Sequence, residues 1–212
     1  EHDAFIRFLS KEHGLINLVL PGYYKANSKQ SRLGLEFSKV SYNLKYRENS
    51  LNRIRGGQLI EGFFHQREDF DWLLDAWLSS ELIIKLYIDE YKDNWYEAYS
   101  YILSSEDRVK NISLFLFNLS KYHGIQAMLD SCAICGSTKI NSFSIKDAGF
   151  LCNVHSVKKD RVDLLELLVY LNRGIELDFE DSSYLSFIDL YIKYLSFYAD
   201  VNIHSWKLKT RV

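Results

Sequence analysis

The spacing of apolar residues divides the chain into a front part of short alternating segments and a rear part with helical periodicity. Alternation in the front part predicts strands over 3–10, 15–20, 35–47 and 51–63. Six of the ten glycines and the only proline, Pro21, fall within the first 62 residues, and they supply turns between these strands. Four or five short strands in about 65 residues predict a small barrel of the oligonucleotide-binding (OB) type.

From Glu68 onward, apolar residues recur every three or four positions, which is the spacing of one helix face. The run Ser79-Ser80-Glu81 predicts an interruption or a cap. Helices are predicted over 70–78, 82–88, 94–103, 109–122, 160–172 and 181–199. Five aromatic residues repeat along the last of these and predict a packed core face: Tyr184, Phe187, Tyr191, Tyr194 and Tyr198. We therefore predict an α+β protein, with an N-terminal OB-fold β-barrel over 1–67 and an α-helical domain over 68–212.

All three cysteines of the chain and one histidine fall into two pairs, Cys132-x-x-Cys135 and Cys152-x-x-His155, separated by sixteen residues. A two-residue spacer lets both side chains of one tight turn point at the same ion, and two such turns supply the tetrahedral set that Zn²⁺ prefers. An odd number of cysteines argues against a disulfide framework. Because four protein ligands leave no position open for substrate, we predict a structural zinc module over 130–157 inserted in the helical domain.

The formal net charge of −2 conceals an uneven distribution of charge along the chain. Residues 1–67 carry 11 Lys and Arg against 6 Asp and Glu, whereas residues 68–131 carry 5 against 12, and residues 132–212 carry 10 of each. A basic front part predicts either an anionic partner or a solvated surface. In the polar loop 23–32, cations stand beside tyrosines, the combination that single-strand binding grooves use for phosphates and bases. The candidate DNA contacts are Lys11, Tyr24, Lys25, Lys29, Arg32, Lys39, Arg53 and Arg55, which Arg7 and Lys45 would extend if they share a face.

No catalytic motif accompanies these candidates. The sequence contains neither GxxxxGK[ST] nor GxGxxG nor the Gly-x-Ser-x-Gly elbow, and its other histidines lack metal-ligand spacing. It also lacks the His-x-Glu of zinc deaminases. We therefore predict that the protein is not an enzyme. No apolar run is long enough to span a membrane, and a few thiols gathered into one metal site suit a reducing cytoplasm.

Several motifs in this order resemble the RecO family of recombination mediators. They are Lys11-Glu-His-Gly14, the segment from Lys25 to Leu33, Tyr122-His-Gly124 leading into Cys132–Gly136, and Gly149–Cys152. Members often have a fourth cysteine where this chain has His155, but a Cys3His set is also competent for zinc.

The resemblance implies an OB domain joined to a helical domain with a zinc module. It implies a DNA repair and recombination mediator that binds single- and double-stranded DNA and anneals complementary strands. It would also assist recombinase loading on DNA coated by single-stranded DNA-binding protein (SSB). The implied partners are RecR and the C-terminal tail of SSB, and the implied location is the bacterial cytoplasm at the nucleoid.

Two other functions remain open from the sequence. The acidic, aromatic-rich middle of the chain favours a zinc-stapled helical protein–protein adaptor without intrinsic DNA binding. A hydrolytic or deaminating zinc enzyme would need an open metal position and a general base, and the four-ligand set argues against it.

Overall fold

The computed structural model describes residues 2–28, 30–175 and 177–209. The chain divides between Ser105 and Glu106 into two compact units. The strands are β1 (Ala4–Ser10), β2 (Gly14–Leu20), β3 (Lys39–Leu44), β4 (Asn52–Glu61), β5 (Ile140–Ser144) and β6 (Gly149–Cys152). The α-helices are α1 (Phe70–Leu86), α2 (Lys92–Ser104), α3 (Arg108–Tyr122), α4 (Val162–Arg173), α5 (Asp181–Tyr198) and α6 (Ser205–Lys209). Short 3-10 helices span Ser31–Gly34, Gln66–Glu68 and Asp89–Tyr91. The predicted mixture of N-terminal strands and later helices is confirmed.

The first unit contains a four-stranded sheet with the order β1-β2-β4-β3. The hairpin β1–β2 and the pair β3–β4 are antiparallel, whereas β2 and β4 are parallel and pair only at Leu18–Asn52 and Val19–Arg53. β1 and β3 are the edges of this sheet. The strands in the described residues therefore form an open sheet. An OB barrel has five strands, so the predicted closed barrel remains a prediction.

One face of this sheet is apolar because successive side chains of a strand point to opposite faces. Its buried residues are Ala4, Leu18, Leu20, Val40 and Ile54, and Leu33 of the 3-10 helix Ser31–Gly34 belongs to the same buried cluster. In the same unit α1 packs against α2. Trp72 of α1 donates from Nε1 to the carbonyl of Leu103 at 2.9 Å. Arg67 bonds the carbonyls of Gly62, Glu36 and Phe37, so its guanidinium joins the end of the sheet to the chain before β3.

Two predicted elements have different limits in the structure. The strand predicted over 35–47 is only the six-residue β3, because Phe37 adopts a positive φ of 49° that interrupts extended chain. Conversely, α1 runs without a break through Ser79 and Ser80. Their hydroxyls donate to the carbonyls of Asp75 and Ala76, each at 2.8 Å. These i→i−4 bonds keep both serines inside the helix instead of capping it.

The second unit is helical around α5, against which α3 and α4 pack. The predicted core stripe of α5 is confirmed for Tyr184, Phe187, Tyr191 and Tyr194, all of which are buried. The apolar pattern did not predict the hairpin β5–β6. This hairpin carries Cys152, one member of the set Cys132, Cys135, Cys152 and His155, which we call the metal-type cluster. Tyr198 ties this hairpin to α5 by donating to the carbonyl of Ile145 at 2.9 Å. Among the described residues, no helix has both the length and the apolar composition needed to cross a membrane.

Candidate metal centre and nucleic-acid surface

Each pair of ligand-type residues lies in a tight turn closed by backbone hydrogen bonds. In the first turn, Gly136 N–H donates to the carbonyl of Cys132 at 2.9 Å, and Gly136 has a φ of 72°. Only glycine adopts this left-handed conformation without strain. In the second turn, the N–H groups of His155 and Ser156 donate to the carbonyl of Cys152 at 3.1 and 2.9 Å. Both turns therefore fold the second ligand-type residue back towards the first.

The hairpin β5–β6 brings the two turns together. Ala133 N–H donates to the carbonyl of Phe150 at 2.7 Å, which joins the first turn to β6. At Gly149 the backbone passes Met128 so closely that a Cβ would lie 2.5 Å from the Met128 carbonyl oxygen. Phe150 N–H donates to that same oxygen at 2.9 Å. Gly149 is thus required by a backbone contact rather than by an unusual dihedral angle.

The side chains of Cys132, Cys135, Cys152 and His155 place four ligand atoms within 4.8 Å of one another. His155 Nδ1 lies 3.6 Å from Cys132 Sγ and 3.3 Å from Cys152 Sγ, and the sulfurs of Cys135 and Cys152 are 3.7 Å apart. The bond lengths of tetrahedral zinc separate its ligand atoms by about 3.5–3.8 Å. All three cysteines are free, since a disulfide needs sulfurs about 2.05 Å apart. This donor set fits a tetrahedral metal ion.

Backbone donors around the cluster favour the thiolate form of two cysteines. Burial acts to raise the pKa of the Cys132 thiol, but N–H groups of Cys135 and Cys152 and other donors outweigh it and lower that pKa to about 6. The balance for Cys152 is the same, and its pKa is also lowered. Hydrogen bonds to the sulfurs of Cys152 and Cys132 raise the pKa of the His155 imidazole. Thiolates are the form in which cysteine binds metals.

A second set of polar residues fastens the segment after His155 onto β5. Asn141 Nδ2 donates to the carbonyl of Lys158 at 2.7 Å, and Asp160 Oδ2 accepts from the N–H of Phe143 at 2.8 Å. These contacts fix the direction in which the chain leaves the cluster. They could not be predicted from the sequence, because they depend on β5, which was not predicted.

The candidate DNA contacts lie in the first unit. Lys11, Tyr24, Lys25, Arg32, Lys39, Arg53 and Arg55 are all exposed, and Lys29 lies outside the described residues. Asp3 brings some of them together, because its Oδ1 accepts from Gly22 N–H at 2.8 Å and its Oδ2 accepts from Arg53 Nη1 at 3.3 Å. The Gly22 N–H and then Arg53 lower the pKa of this carboxyl, against the effect of its burial. The start of the basic loop therefore lies beside Arg53.

Other candidates lie far from this point. Lys11 is in the turn after β1, eight residues from Asp3, or about 26 Å of extended chain. Lys39 pairs with Glu61, which is a similar distance along β4 from Arg53. The structure therefore spreads the predicted contacts over the sheet instead of gathering them into one patch.

Phe5 is an additional surface residue that the sequence reasoning missed. It is 78% exposed on β1, on the face opposite the apolar cluster. It pairs with Val19, and Val19 pairs with Arg53, so the exposed Phe5 ring and the Arg53 cation lie in one row across three strands, on either side of the buried Val19. Arg7 lies two residues further along the same face of β1. The alternation of residues 4–8 contained this signal, because it places Phe5 and Arg7 opposite Ala4, Ile6 and Phe8.

Comparisons with known proteins agree with this architecture. The chain is 29% identical over 160 residues to DNA repair protein RecO of Bacillus pumilus, a match that covers 72% of this chain and 61% of that protein. It is 27% identical over 168 residues to the protein of the same name from Halalkalibacterium halodurans, with 76% and 65% covered. It is also 30% identical over 152 residues to that of Mycoplasma mycoides, with 66% and 59% covered. The chain therefore spans less than two thirds of the length of these relatives.

A family model described as "Recombination protein O C terminal" matches residues 67–175. This range runs from the end of the first sheet, through α1, α2 and α3, to the segment just after α4. It includes both turns of the metal-type cluster and amounts to just over half of the 212 residues. On this match the chain belongs to the RecO family.

Proposed function

We propose that this chain is a DNA repair and recombination mediator that binds single- and double-stranded DNA through the solvent face of its N-terminal sheet. The observation that carries the proposal is the set of exposed cations and aromatic rings distributed on and beside that face, with Arg53 joined through Asp3 to Gly22, just before the loop of Tyr24 and Lys25. The relatives' name, DNA repair protein RecO, supports it. In this proposal residues 1–67 are an OB-type module and residues 68–212 the helical domain.

Annealing of complementary strands would follow from electrostatics rather than bond chemistry. Two phosphate backbones repel each other, and a basic surface that binds both lowers that repulsion. Among the candidate cations that lie in the described part of the chain, Arg53 pairs with Asp3, whereas the others have no ion pair there and remain available for phosphates. Recruitment by RecR and by the C-terminal tail of SSB would raise the local concentration of DNA and assist recombinase loading at the bacterial nucleoid.

We propose that Cys132, Cys135, Cys152 and His155 hold a structural Zn²⁺ ion. The donor chemistry and three separations of 3.3, 3.6 and 3.7 Å between ligand atoms, in a set that lies within 4.8 Å, support this. A bound ion would supply a cross-link between the two turns. The residues around it do the positioning: Gly136 allows the first turn, and β5–β6 sets its distance from the second.

DNA binding is tested by fluorescence anisotropy with a labelled single-stranded oligonucleotide over a series of salt concentrations. We expect a linear fall of log affinity with log salt, and a slope that decreases by about 2 when Lys25, Lys29 and Arg32 are all changed to Ala, because each phosphate contact on a single strand contributes about 0.7. A triple change of Lys139, Lys146 and Lys159 to Ala removes the same charge from exposed positions in the second unit. This control is expected to leave the slope unchanged.

Equal slopes in the two triple variants would refute the role of the loop. Absence of binding by the wild-type protein at low salt would refute the DNA-binding function and favour the adaptor. Thermal unfolding of each variant shows whether a loss of binding is a loss of fold.

A further inference from the structure

A groove of about 820 Å³ opens beside β2 in the first unit. It exists because β4 begins at Asn52 and pairs with β2 only at Leu18 and Val19, so the rest of β2 has no β4 partner alongside it. The connection between β3 and β4, residues 45–51, forms the opposite wall. We call this space the β2 groove. Its volume falls within the range of about 300–1,000 Å³ that is usual for small-ligand sites.

The wall made by the β3–β4 connection is held in place by hydrogen bonds. The Asn52 side chain is buried, accepts from Arg47 N–H at 2.7 Å, and donates to the carbonyls of Arg47 and Ser50, each at 3.0 Å. At the end near the β1–β2 turn, the rings of His13 and Tyr46 stack with centroids 3.7 Å apart and planes within 8°. The wall is thus fixed at both ends before any ligand binds.

The groove is lined by acidic residues as well as by an aromatic ring. Its carboxylates are Glu48, on the connection, and Asp89, which accepts a hydrogen bond from Tyr87 at 2.9 Å beside the turn at Gly14. Its aromatic residue is the exposed Phe5, which shares a sheet row with Arg53.

Two arginines also line the groove, one on each wall. Arg7 belongs to the β1 wall and Arg47 to the connection. Neither guanidinium makes an ion pair with any described residue. The groove therefore combines an exposed aromatic ring with one cation on each wall.

We propose that the β2 groove is a single-strand-selective subsite, in which an unpaired base stacks on Phe5 and the neighbouring phosphates lie against Arg7 and Arg47. The proposal rests on the proposed DNA-binding function and deepens it. An aromatic ring can stack only on a base whose face is free, and the bases of a duplex are already stacked on one another. The duplex would therefore use the outer cations alone, whereas a single strand would use these and the groove.

The test is Phe5→Ala in the full chain, assayed by anisotropy with a 12-nucleotide single strand and a duplex of equal length at fixed low salt. Removal of one base-stacking ring is expected to weaken single-strand binding by about five- to 150-fold and to change duplex binding less than twofold. The matched control is Phe64→Ala, because Phe64 is also an exposed phenylalanine of the first unit but does not line the groove. It is expected to change neither affinity.

A second readout reports stacking directly. A 2-aminopurine base in the single strand is expected to lose fluorescence on binding to the wild type and to the Phe64 variant, and to keep it with the Phe5 variant. Arg47→Gln is expected to reduce the single-strand salt slope by about 0.7 and to leave the duplex slope unchanged. Circular dichroism confirms that each variant is folded.

The possible results distinguish a failure of the subsite proposal from a failure of the DNA-binding function on which it rests. If the wild type binds single strands and Phe5→Ala binds them equally well, the groove proposal is overturned and the DNA-binding function stands. An equal loss for single strand and duplex also overturns the groove. Failure of the wild type to bind either DNA overturns both proposals.

Discussion

Tyr191 in α5 offers a stability prediction whose sign is unusual for a change in a protein core. Its ring is fully buried, stacked on Phe187 with centroids 4.3 Å apart and close to Phe117. Its hydroxyl has no hydrogen-bond partner among the described residues. The nearby Ser120 hydroxyl acts to lower the pKa of the phenol, but its geometry with the Tyr191 hydroxyl does not meet that of a hydrogen bond, and its proton is donated to the carbonyl of Phe117 at 2.7 Å. Burial accordingly raises the pKa of Tyr191.

The change Tyr191→Phe keeps the ring and removes only this unpaired hydroxyl. A buried polar group without a partner costs about 1–3 kcal/mol, so the variant is expected to gain about that much free energy of unfolding. Tyr194 is the matched control on the same helix, because its hydroxyl donates to the carbonyl of Ile125 at 2.7 Å. Tyr194→Phe loses that hydrogen bond and is expected to lose about 0.5–1.5 kcal/mol.

Urea unfolding followed by circular dichroism measures both changes, and thermal unfolding checks them. For a chain of this length, 1 kcal/mol corresponds to about 2–4 °C in Tm. The Tm of Tyr191→Phe is therefore expected above that of the wild type, and the Tm of Tyr194→Phe below it. If Tyr191→Phe is destabilised as much as Tyr194→Phe, the Tyr191 hydroxyl has a partner such as a buried water, and the reasoning is refuted.

Three further predictions concern the cluster and the β2 groove. Zinc analysis is expected to find one ion per chain in the wild type and none in Cys152→Ser. Addition of a chelator is expected to lower the Tm of the wild type alone, and an equal loss of Tm on chelation in both proteins would exclude a structural ion. Gly149→Ala is expected to reduce zinc content, because the added Cβ would lie 2.5 Å from the Met128 carbonyl oxygen, and full occupancy with an unchanged Tm would contradict this. Asn52→Ala removes three hydrogen bonds to the β3–β4 connection and is expected to lower the free energy of unfolding by about 1–3 kcal/mol. Limited proteolysis is then expected to cut that variant near Arg47, and resistance equal to that of the wild type would refute the positioning role of Asn52.

The sequence predicted best those features that depend on neighbouring residues. The spacing of the cysteines and the turn at Gly136 are local, and the structure brings the four ligand atoms together. Apolar periodicity likewise placed α5 and its buried face. Prediction was weaker where tertiary contacts decided the outcome. Whether Ser79 caps a helix or continues it depends on a hydroxyl bond to Asp75, and both choices suit the same residue type.

The missed hairpin β5–β6 shows a second limit. Its strands have five and four residues, too few for alternation to be distinguished from chance. One of them is held by the Phe143 N–H bond to Asp160, seventeen residues away. The row of Phe5, Val19 and Arg53 was not predicted for a related reason. Alternation assigns each residue to a face, but only the register of three strands shows which residues lie side by side.

The metal-type cluster and the basic sheet face belong to different compact units, so the two proposals make separable demands on the protein. A zinc ion in the second unit would stabilise the fold there without contributing charge to phosphate binding in the first. We therefore expect Cys152→Ser to lower Tm while leaving the salt slope of single-strand binding unchanged, since that slope counts phosphate contacts. Anisotropy at a temperature below unfolding makes the comparison. A reduced slope in Cys152→Ser would mean that residues of the second unit also contact DNA, and it would refute the assignment of binding to the sheet face alone.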